Sequence, residues 1–143
     1  RDLHSFPTLR SSDLFRFSRS TMRSRVSSAN SATWIAEEHE QMAGFANVHW
    51  NPNADAAEAV AYIQTIEVVP TQRNRGVARE LLRRLENSAG AKGASVIWLH
   101  VAEENAAAIR LYECHGYHQQ GREESFYAEG IPALVYAKGL VSE

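Results

Sequence analysis

The hydrophobic and polar positions of the chain become regular from residue 32 onward, where they predict six strands. Each of these stretches contains β-branched or aromatic side chains and is bounded by turn-forming residues. Residues 95–101, SVIWLHV, form a nearly continuous apolar run, which is typical of a strand buried on both faces. The predicted strands are residues 32–38, 42–50, 58–69, 95–101, 117–120 and 133–138.

Two other stretches repeat their apolar residues at the spacing of a helix. The first covers residues 76–89, and its apolar side consists of Val77, Leu81, Leu82 and Leu85. The second covers residues 105–115. It begins at Asn105, a favourable N-cap, and ends before Gly116, which suits the C′ position.

The predicted elements follow the order β-β-β-α-β-α-β-β. This order is typical of a mixed α/β sheet in which one right-handed crossover joins two parallel strands. A loop that carries Phe126, Tyr127 and Gly130 is predicted to join the last two strands.

The first residues of the chain are predicted not to belong to this domain. Residues 6–14 resemble a common sequencing adapter translated in one frame, so residues 1–14 are interpreted as a non-native tail. A native disordered tail is the alternative, because the Ser- and Arg-rich composition also permits it.

The length and composition of the chain limit the kinds of protein that it can be. The chain has 143 residues, of which 44% are hydrophobic, which is enough for one globular domain with a core. It contains no apolar run of the roughly 20 residues that a membrane span requires. Its single cysteine, Cys114, excludes an internal disulfide framework and fits a reducing compartment, so we expect a cytoplasmic protein.

The distribution of charge and of histidine argues against two kinds of partner. Residues 1–30 hold six Arg and two Asp, a balance of +4, whereas the rest hold nine Lys or Arg and fifteen Asp or Glu, a balance of −6. An acidic body disfavours nucleic acid and favours a cationic acceptor. The histidines lack metal-ligand spacing, so no metal is expected.

The turn before the first helix is a candidate phosphate-binding site. It reads Arg73-x-x-Gly76-x-Ala78, and the N-terminus of a helix offers amide groups and a positive dipole end to a diphosphate. Gly76 allows close approach of the backbone, and Arg73 and Arg75 add positive charge. Two other interpretations remain open: a basic helix start with a structural glycine, and an arginine patch that faces solvent or nucleic acid.

The second helix adds the pattern Asn105-x-x-Ala108-x-x-x-Tyr112, followed by Gly116 and a tyrosine. Together with the Arg73 turn and the strand between them, this order resembles the GNAT family of N-acetyltransferases over roughly residues 32–140. Segments 62–65, 98–101, 105–112 and 125–130 are similar to the protein N-terminal acetyltransferases of that family.

The resemblance implies the GNAT fold, a mostly antiparallel mixed sheet with a β-α-β parallel crossover, and acetyl-coenzyme A as co-substrate. Amides near Val68 and Val69 are then expected to donate to the thioester oxygen. The implied coenzyme-binding residues are Val68, Val69, Arg73, Asn74, Arg75, Gly76, Val77, Ala78, Arg79, Asn105, Ala108 and Tyr112.

The resemblance also implies direct attack of the amine on the thioester, so Cys114 need not be a nucleophile. Tyr112 matches the donor of a proton to the coenzyme A thiolate, although an amphipathic core tyrosine would look the same. His100 is the candidate general base, because an imidazole with a pKa of about 6.5 suits neutral pH. A lone histidine in an apolar strand is otherwise a satisfied core residue. Tyr62 matches a tyrosine that assists this histidine through ordered water.

The acceptor side of the site is expected at Glu67, Phe126 and Tyr127. Glu67 is also the fallback base, and the two aromatic residues match a hairpin that covers the acceptor or are ordinary strand aromatics. An α-amine with a pKa near 8 is favoured, since a lysine at about 10.4 costs some 3 kcal/mol more to deprotonate.

The expected function is therefore an N-acetyltransferase of peptide α-amines, working as a monomer or a weak dimer. A small-molecule amine acetyltransferase and a non-catalytic acetyl-coenzyme A-binding module are the alternatives. The family has a strand and two helices before the strand that begins near residue 32. We therefore interpret residues 15–31 as a poorly packed remnant of a truncated helical region, and residues 32–143 as the acetyltransferase domain.

Overall fold

The computed structural model describes residues 21–28, 30–51, 59–73 and 75–140. They form seven strands, two α-helices and a short 3₁₀ turn at Pro70–Gln72. The strands are β1 (Thr21–Ser28), β2 (Ser31–Glu38), β3 (Gln41–Trp50), β4 (Val60–Val68), β5 (Val96–Ala102), β6 (His118–Ala128) and β7 (Ile131–Gly139), and the helices are α1 (Val77–Ala91) and α2 (Ala106–Cys114).

All seven strands belong to one sheet, in the order β1-β2-β3-β4-β5-β7-β6. Only β4 and β5 pair in parallel, and α1 connects them. The other five pairs are antiparallel. The predicted mixed, mostly antiparallel sheet with a single β-α-β crossover is confirmed.

The structure corrects the prediction for two edge strands. Residues 21–28, assigned to a helical remnant, instead form β1, which pairs with β2 from Thr21 opposite Glu37 onward. The predicted loop before β7 is also wrong, because β6 continues to Ala128 and only a short turn remains. Both segments are rich in polar residues, so pairing with a neighbouring backbone decides their structure. Residues 1–20 lie outside the described part of the chain, and the non-native tail stays a prediction.

Both helices pack against the same face of the sheet. The predicted apolar side of α1 is confirmed, since Leu81, Leu82 and Leu85 are fully buried. On β7, Lys138 lies opposite Ile97 of β5, and its ammonium contacts Glu86 of α1 at 3.1 Å. One large core therefore lies between the sheet and the two helices.

The ends of α2 are capped as predicted. The side chain of Asn105 accepts a hydrogen bond from the Ala108 amide at 3.1 Å. At the other end Gly116 has a φ of 89°, and the amide of Tyr117 donates to the Tyr112 carbonyl at 3.0 Å. This is a Schellman motif, and it also brings the two tyrosine rings to 5.7 Å. The cap therefore fixes the turn of helix that carries Tyr112.

The parallel pair separates halfway along its length. Val60–Ile63 pairs with Val96–Leu99, and no pairing continues beyond Ile63 and Leu99. At the same point Gln64 forms a bulge, because Val48 of β3 lies opposite Ile63 whereas Asn47 lies opposite Thr65. A bulge bends its strand. The second half of β4 thus stays with β3 and leaves β5.

We predict that Gly116→Ala destabilises the protein by about 1–2 kcal/mol, because a side chain disfavours the left-handed conformation. An added Cβ would meet nothing closer than 3.5 Å, so the backbone alone causes the loss. Gly90→Ala is the matched control: it lies in α1 in open space and should stabilise by roughly 0.5–1 kcal/mol. Urea unfolding measures the free energy of unfolding of both variants, and equal changes in the two would contradict the Schellman assignment.

Candidate active site

The separation of β4 and β5 opens a cavity of about 650 Å³. Its walls come from the diverging halves of the two strands, from the turn after β4 and from the start of α2. Seven of the predicted site residues line it: Glu67, Arg73, His100, Asn105, Ala108, Tyr112 and Tyr127.

His100 and Tyr112 reach this cavity from opposite faces of the sheet. Leu99 lies opposite Tyr136 of β7, whose hydroxyl donates to Glu113 of α2 at 2.7 Å, so α2 packs on the Leu99 face. Successive residues of a strand point to opposite faces, which places His100 on the other one. The base and acid candidates can therefore act on one molecule only through the gap between the strands.

The imidazole of His100 is held by contacts from two strands. The Tyr62 hydroxyl lies 2.7 Å from Nδ1, and Glu123 Oε1 lies 3.1 Å from Nε2. The ring of Phe126 stacks on the imidazole at a centroid distance of 4.0 Å and an angle of 4°. Tyr62 and Phe126 therefore act on His100 and are not among the residues that line the cavity.

The two candidate tyrosines are both kept in the protonated form. Burial raises the pKa of the Tyr62 phenol, with further increases from Tyr127 and Glu123. Tyr112 is only 7% exposed, and its burial raises the pKa of its phenol well above the ordinary value, helped by Tyr127 and Glu67. A raised pKa means that each phenol carries its proton at neutral pH and can donate it as a hydrogen bond.

The turn before α1 has the geometry expected of an anion-binding helix start. Gly76 is the N-cap with a φ of 84°, and no side chain caps the first turn. The first hydrogen bond within the helix runs from the Glu80 amide to the Gly76 carbonyl at 3.0 Å. The amides of Val77, Ala78 and Arg79 precede that bond and belong to the positive end of the helix dipole. Asn74 lies outside the described residues.

Arg75 departs from its predicted role. Its guanidinium forms an ion pair with Glu38 of β2 and also donates to the Gln72 side chain, and the paired side chains are 17% and 14% exposed. Glu38 thus neutralises the charge that was expected to face a phosphate, and the pair attaches the turn to β2. Arg73 remains at the cavity, where its Nε donates to the Val68 carbonyl at 3.4 Å.

Only one of the two expected amide donors points toward the gap. The Val69 amide donates to the Ala43 carbonyl at 2.8 Å, so its hydrogen-bond partner is in β3. Because successive amides of a strand point to opposite edges, the Val68 amide points to the edge that β5 has left. The Val69 amide is therefore not available to a thioester, whereas the role of Val68 stays a prediction.

Three contributors to the site were missed by the sequence analysis. Glu123 holds the imidazole, Glu38 holds the arginine of the turn, and Gln64 supplies the bulge that opens the cavity. Each acts through a partner distant in sequence or through strand register, so no local motif marks it.

No group of three or more His, Cys, Asp or Glu in the described ranges has the arrangement of a metal site. Within the same ranges, none of the helices combines the length and the apolar character needed to span a membrane.

Comparison with known proteins gives relatives in one family. The model of the acetyltransferase (GNAT) family matches residues 3–117. Streptothricin acetyltransferase of Streptomyces lavendulae is 34% identical over 114 residues, which cover 74% of this chain and 57% of that protein. The [ribosomal protein bS18]-alanine N-acetyltransferase of Escherichia coli is 34% identical over 67 residues, covering 47% and 45%. The chain thus spans about half the length of the curated relatives it matches.

Solved structures share the architecture. The ribosomal-protein-S18-alanine N-acetyltransferase from Escherichia coli superposes with a TM-score of 0.70 at 22% identity, covering 96% of this chain and 94% of that one. Nourseothricin acetyltransferase gives a TM-score of 0.71 at 24% identity, covering 85% of each chain. At these identities the likeness shows the fold alone. Because the family model matches residues 3–117, which are most of the chain, the chain belongs to the GNAT family of acetyltransferases.

Proposed function

We propose that this chain is an acetyl-coenzyme A-dependent N-acetyltransferase that transfers acetyl directly to an amine. The observation that carries the proposal is the gap between β4 and β5, which has His100 on one face and Tyr112 on the other. A thioester in this gap would meet a base from the acceptor side and an acid from the coenzyme side.

The helix face suits the coenzyme. Its diphosphate is assigned to the amides of Val77, Ala78 and Arg79, where Gly76 permits close approach and Arg73 adds charge. The Val68 amide then points toward the thioester oxygen and stabilises the charge that develops there. Asn105 and Ala108 line the same cavity at the start of α2.

The proposed reaction needs three proton transfers. The acceptor ammonium first loses a proton to the Tyr62–His100 pair, and the neutral amine attacks the thioester carbon. The tetrahedral intermediate collapses, the carbon–sulfur bond breaks, and the departing thiolate takes a proton from Tyr112. The second proton released by the amine nitrogen restores Tyr112, so the cycle yields an amide, coenzyme A thiol and one proton.

For the acceptor we propose a peptide α-amine. Phe126 and Tyr127 are 41% and 49% exposed beside His100, which gives an acceptor peptide an aromatic surface to pack against. Glu67 lies at the same cavity and can attract the ammonium group. A relative that acts on the alanine of ribosomal protein bS18 supports this choice.

A small-molecule amine is the second candidate acceptor. The relative named for streptothricin matches a longer part of this chain than the ribosomal-protein enzyme does, 74% against 47%.

For the location of the protein we propose the cytoplasm, since the single cysteine, Cys114, is free and exposed.

We predict that coenzyme A raises the melting temperature and that acetyl-coenzyme A with a short peptide releases thiol. A free N-terminus should give a kcat/KM at least about tenfold above that of the same peptide with a blocked N-terminus and one lysine, because the α-amine deprotonates more readily. Thiol-detection kinetics measure this ratio. Faster turnover of free small amines would replace the peptide by the second candidate, and a lack of any thermal shift would contradict the coenzyme site.

We also predict that Tyr112→Phe lowers kcat by about a hundredfold, the usual loss on removing a general acid, with the affinity for coenzyme A nearly unchanged. Tyr136→Phe is the matched control, because this buried hydroxyl bonds Glu113 and lies outside the cavity. It should cost about 1 kcal/mol of stability and leave kcat unchanged. Equal kcat in both variants and the parent would indicate a non-catalytic coenzyme-binding module.

A further inference from the structure

Both ring nitrogens of His100 are occupied, which is unusual for a group that must accept a proton from the cavity. Nδ1 faces the Tyr62 hydroxyl at 2.7 Å, and Nε2 faces the Glu123 carboxylate at 3.1 Å. We propose that Glu123 is a positioning residue that fixes His100 in the Nε2–H tautomer, so that the acceptor proton enters through the Tyr62 oxygen. This inference rests on the proposed function.

The tautomer follows from the donors and acceptors present. An ionised carboxylate only accepts hydrogen bonds, so Nε2 must carry the proton that faces Glu123. A neutral imidazole has a single N–H, which leaves a lone pair on Nδ1. That lone pair accepts the Tyr62 hydroxyl proton. In this state neither nitrogen has a free lone pair, whereas the Tyr62 oxygen retains two. Because Tyr62 does not line the cavity, an acceptor proton would reach its oxygen through a bridging water.

The proton balance is closed without a further reactant. The acceptor nitrogen gives its proton through a water to the Tyr62 oxygen, while the hydroxyl proton of Tyr62 moves to Nδ1. The resulting imidazolium lies between a neutral phenol and the Glu123 carboxylate, which stabilises its charge. It returns to the neutral form by releasing a proton to solvent after the transfer.

An irregular stretch of β6 brings Glu123 to this position. Pairing with β7, which has one earlier bulge at Gln120, runs up to Glu123 opposite Ala133 and resumes only at Ala128. In between, Ser125 has a φ of 56°, and its hydroxyl accepts the Gly130 amide at 2.9 Å. This local distortion lets Phe126 stack on the same imidazole that Glu123 contacts. One segment thus controls both the orientation and the tautomer of His100.

The neighbouring carboxylate provides a contrast within the same strand. Glu124 pairs with Arg122, whose guanidinium also donates to Glu103 at 2.8 Å. Glu124 and Glu123 therefore differ in their partners although they are adjacent and both exposed. Substitution of Glu124 changes the net charge by the same amount without touching the imidazole.

Several other polar or charged groups lie near His100. Tyr62 of β4 contacts it directly, and the ring of His49 of β3 lies 5.5 Å from that of Tyr62 at an angle of 49°. Tyr127 of β6 lines the same cavity as His100. Glu67, Arg73 and Tyr112 lie around the same cavity. All of these groups are the same in the variants at Glu123 and at Glu124, so they cannot cause a difference between those variants.

The test uses Glu123→Gln, Glu123→Ala and Glu124→Gln in the full chain. Glutamine can still accept from Nε2 but carries no charge, so kcat should fall about tenfold. This loss is expected because the imidazolium that forms during transfer loses its charged partner. Alanine should lower kcat further, and Glu124→Gln should match the parent. An unchanged kcat in both Glu123 variants would overturn the proposal.

A second readout does not depend on catalysis. Nitrogen NMR of ¹⁵N-histidine-labelled protein, with His100 assigned by His100→Gln, reports the tautomer in the absence of acetyl-coenzyme A. We expect Nε2–H in the parent and a mixture of tautomers in Glu123→Ala. A parent with the proton on Nδ1 would overturn the proposal. If the tautomer of His100 changes in Glu123→Ala but the parent shows no acetyl transfer, the positioning role stands and the proposed function is wrong.

Discussion

The site depends on the early end of pairing between β4 and β5. Two parallel strands would normally continue their hydrogen bonds to the end of the shorter one, and β5 continues to Ala102. Here the bulge at Gln64 keeps the second half of β4 in register with β3 and removes it from β5. Backbone groups that lose their strand partner need another one. The Val68 amide is such a group, which is why an opening in a sheet is suited to a polar ligand.

The two halves of the site are built in different ways. Tyr112 lies in the core, in the last turn of α2. The Gly116 cap fixes this end of the helix, and the helix packs on the sheet. His100 depends instead on side chains from β6, an edge strand that is exposed along nearly its whole length. Burial thus fixes the Tyr112 side of the cavity, and specific polar and stacking contacts fix the His100 side.

Local patterns predicted the parts of the fold that local physics controls. The helix of Leu81, Leu82 and Leu85 was predicted from spacing alone, and the caps at Asn105 and Gly116 from the chemistry of single residues. Motif resemblance located His100 and Tyr112, which the structure brings to one cavity. The strand β1 and the continuation of β6 beyond Gln120 were missed, because largely polar strands give little alternation to detect.

The remaining errors concern partners that are far apart in sequence. Arg75 was assigned to a phosphate, but Glu38 lies 37 residues away and only the folded sheet brings the two together. The assignment of Val69 depended on which edge of β4 its amide faces, and this follows from the register with β3. Neither property can be derived before the strand order is known.

The exposure of β6 has a consequence for how this protein loses function. Peripheral segments with little buried apolar surface open locally at a free energy well below that of global unfolding. Transient fraying of this hairpin would release the imidazole while the buried Tyr112 side of the cavity stayed intact. Heat or mild denaturant would then disrupt the arrangement around His100 before circular dichroism registered any melting, so thermal stability alone is a poor guide to the integrity of this site.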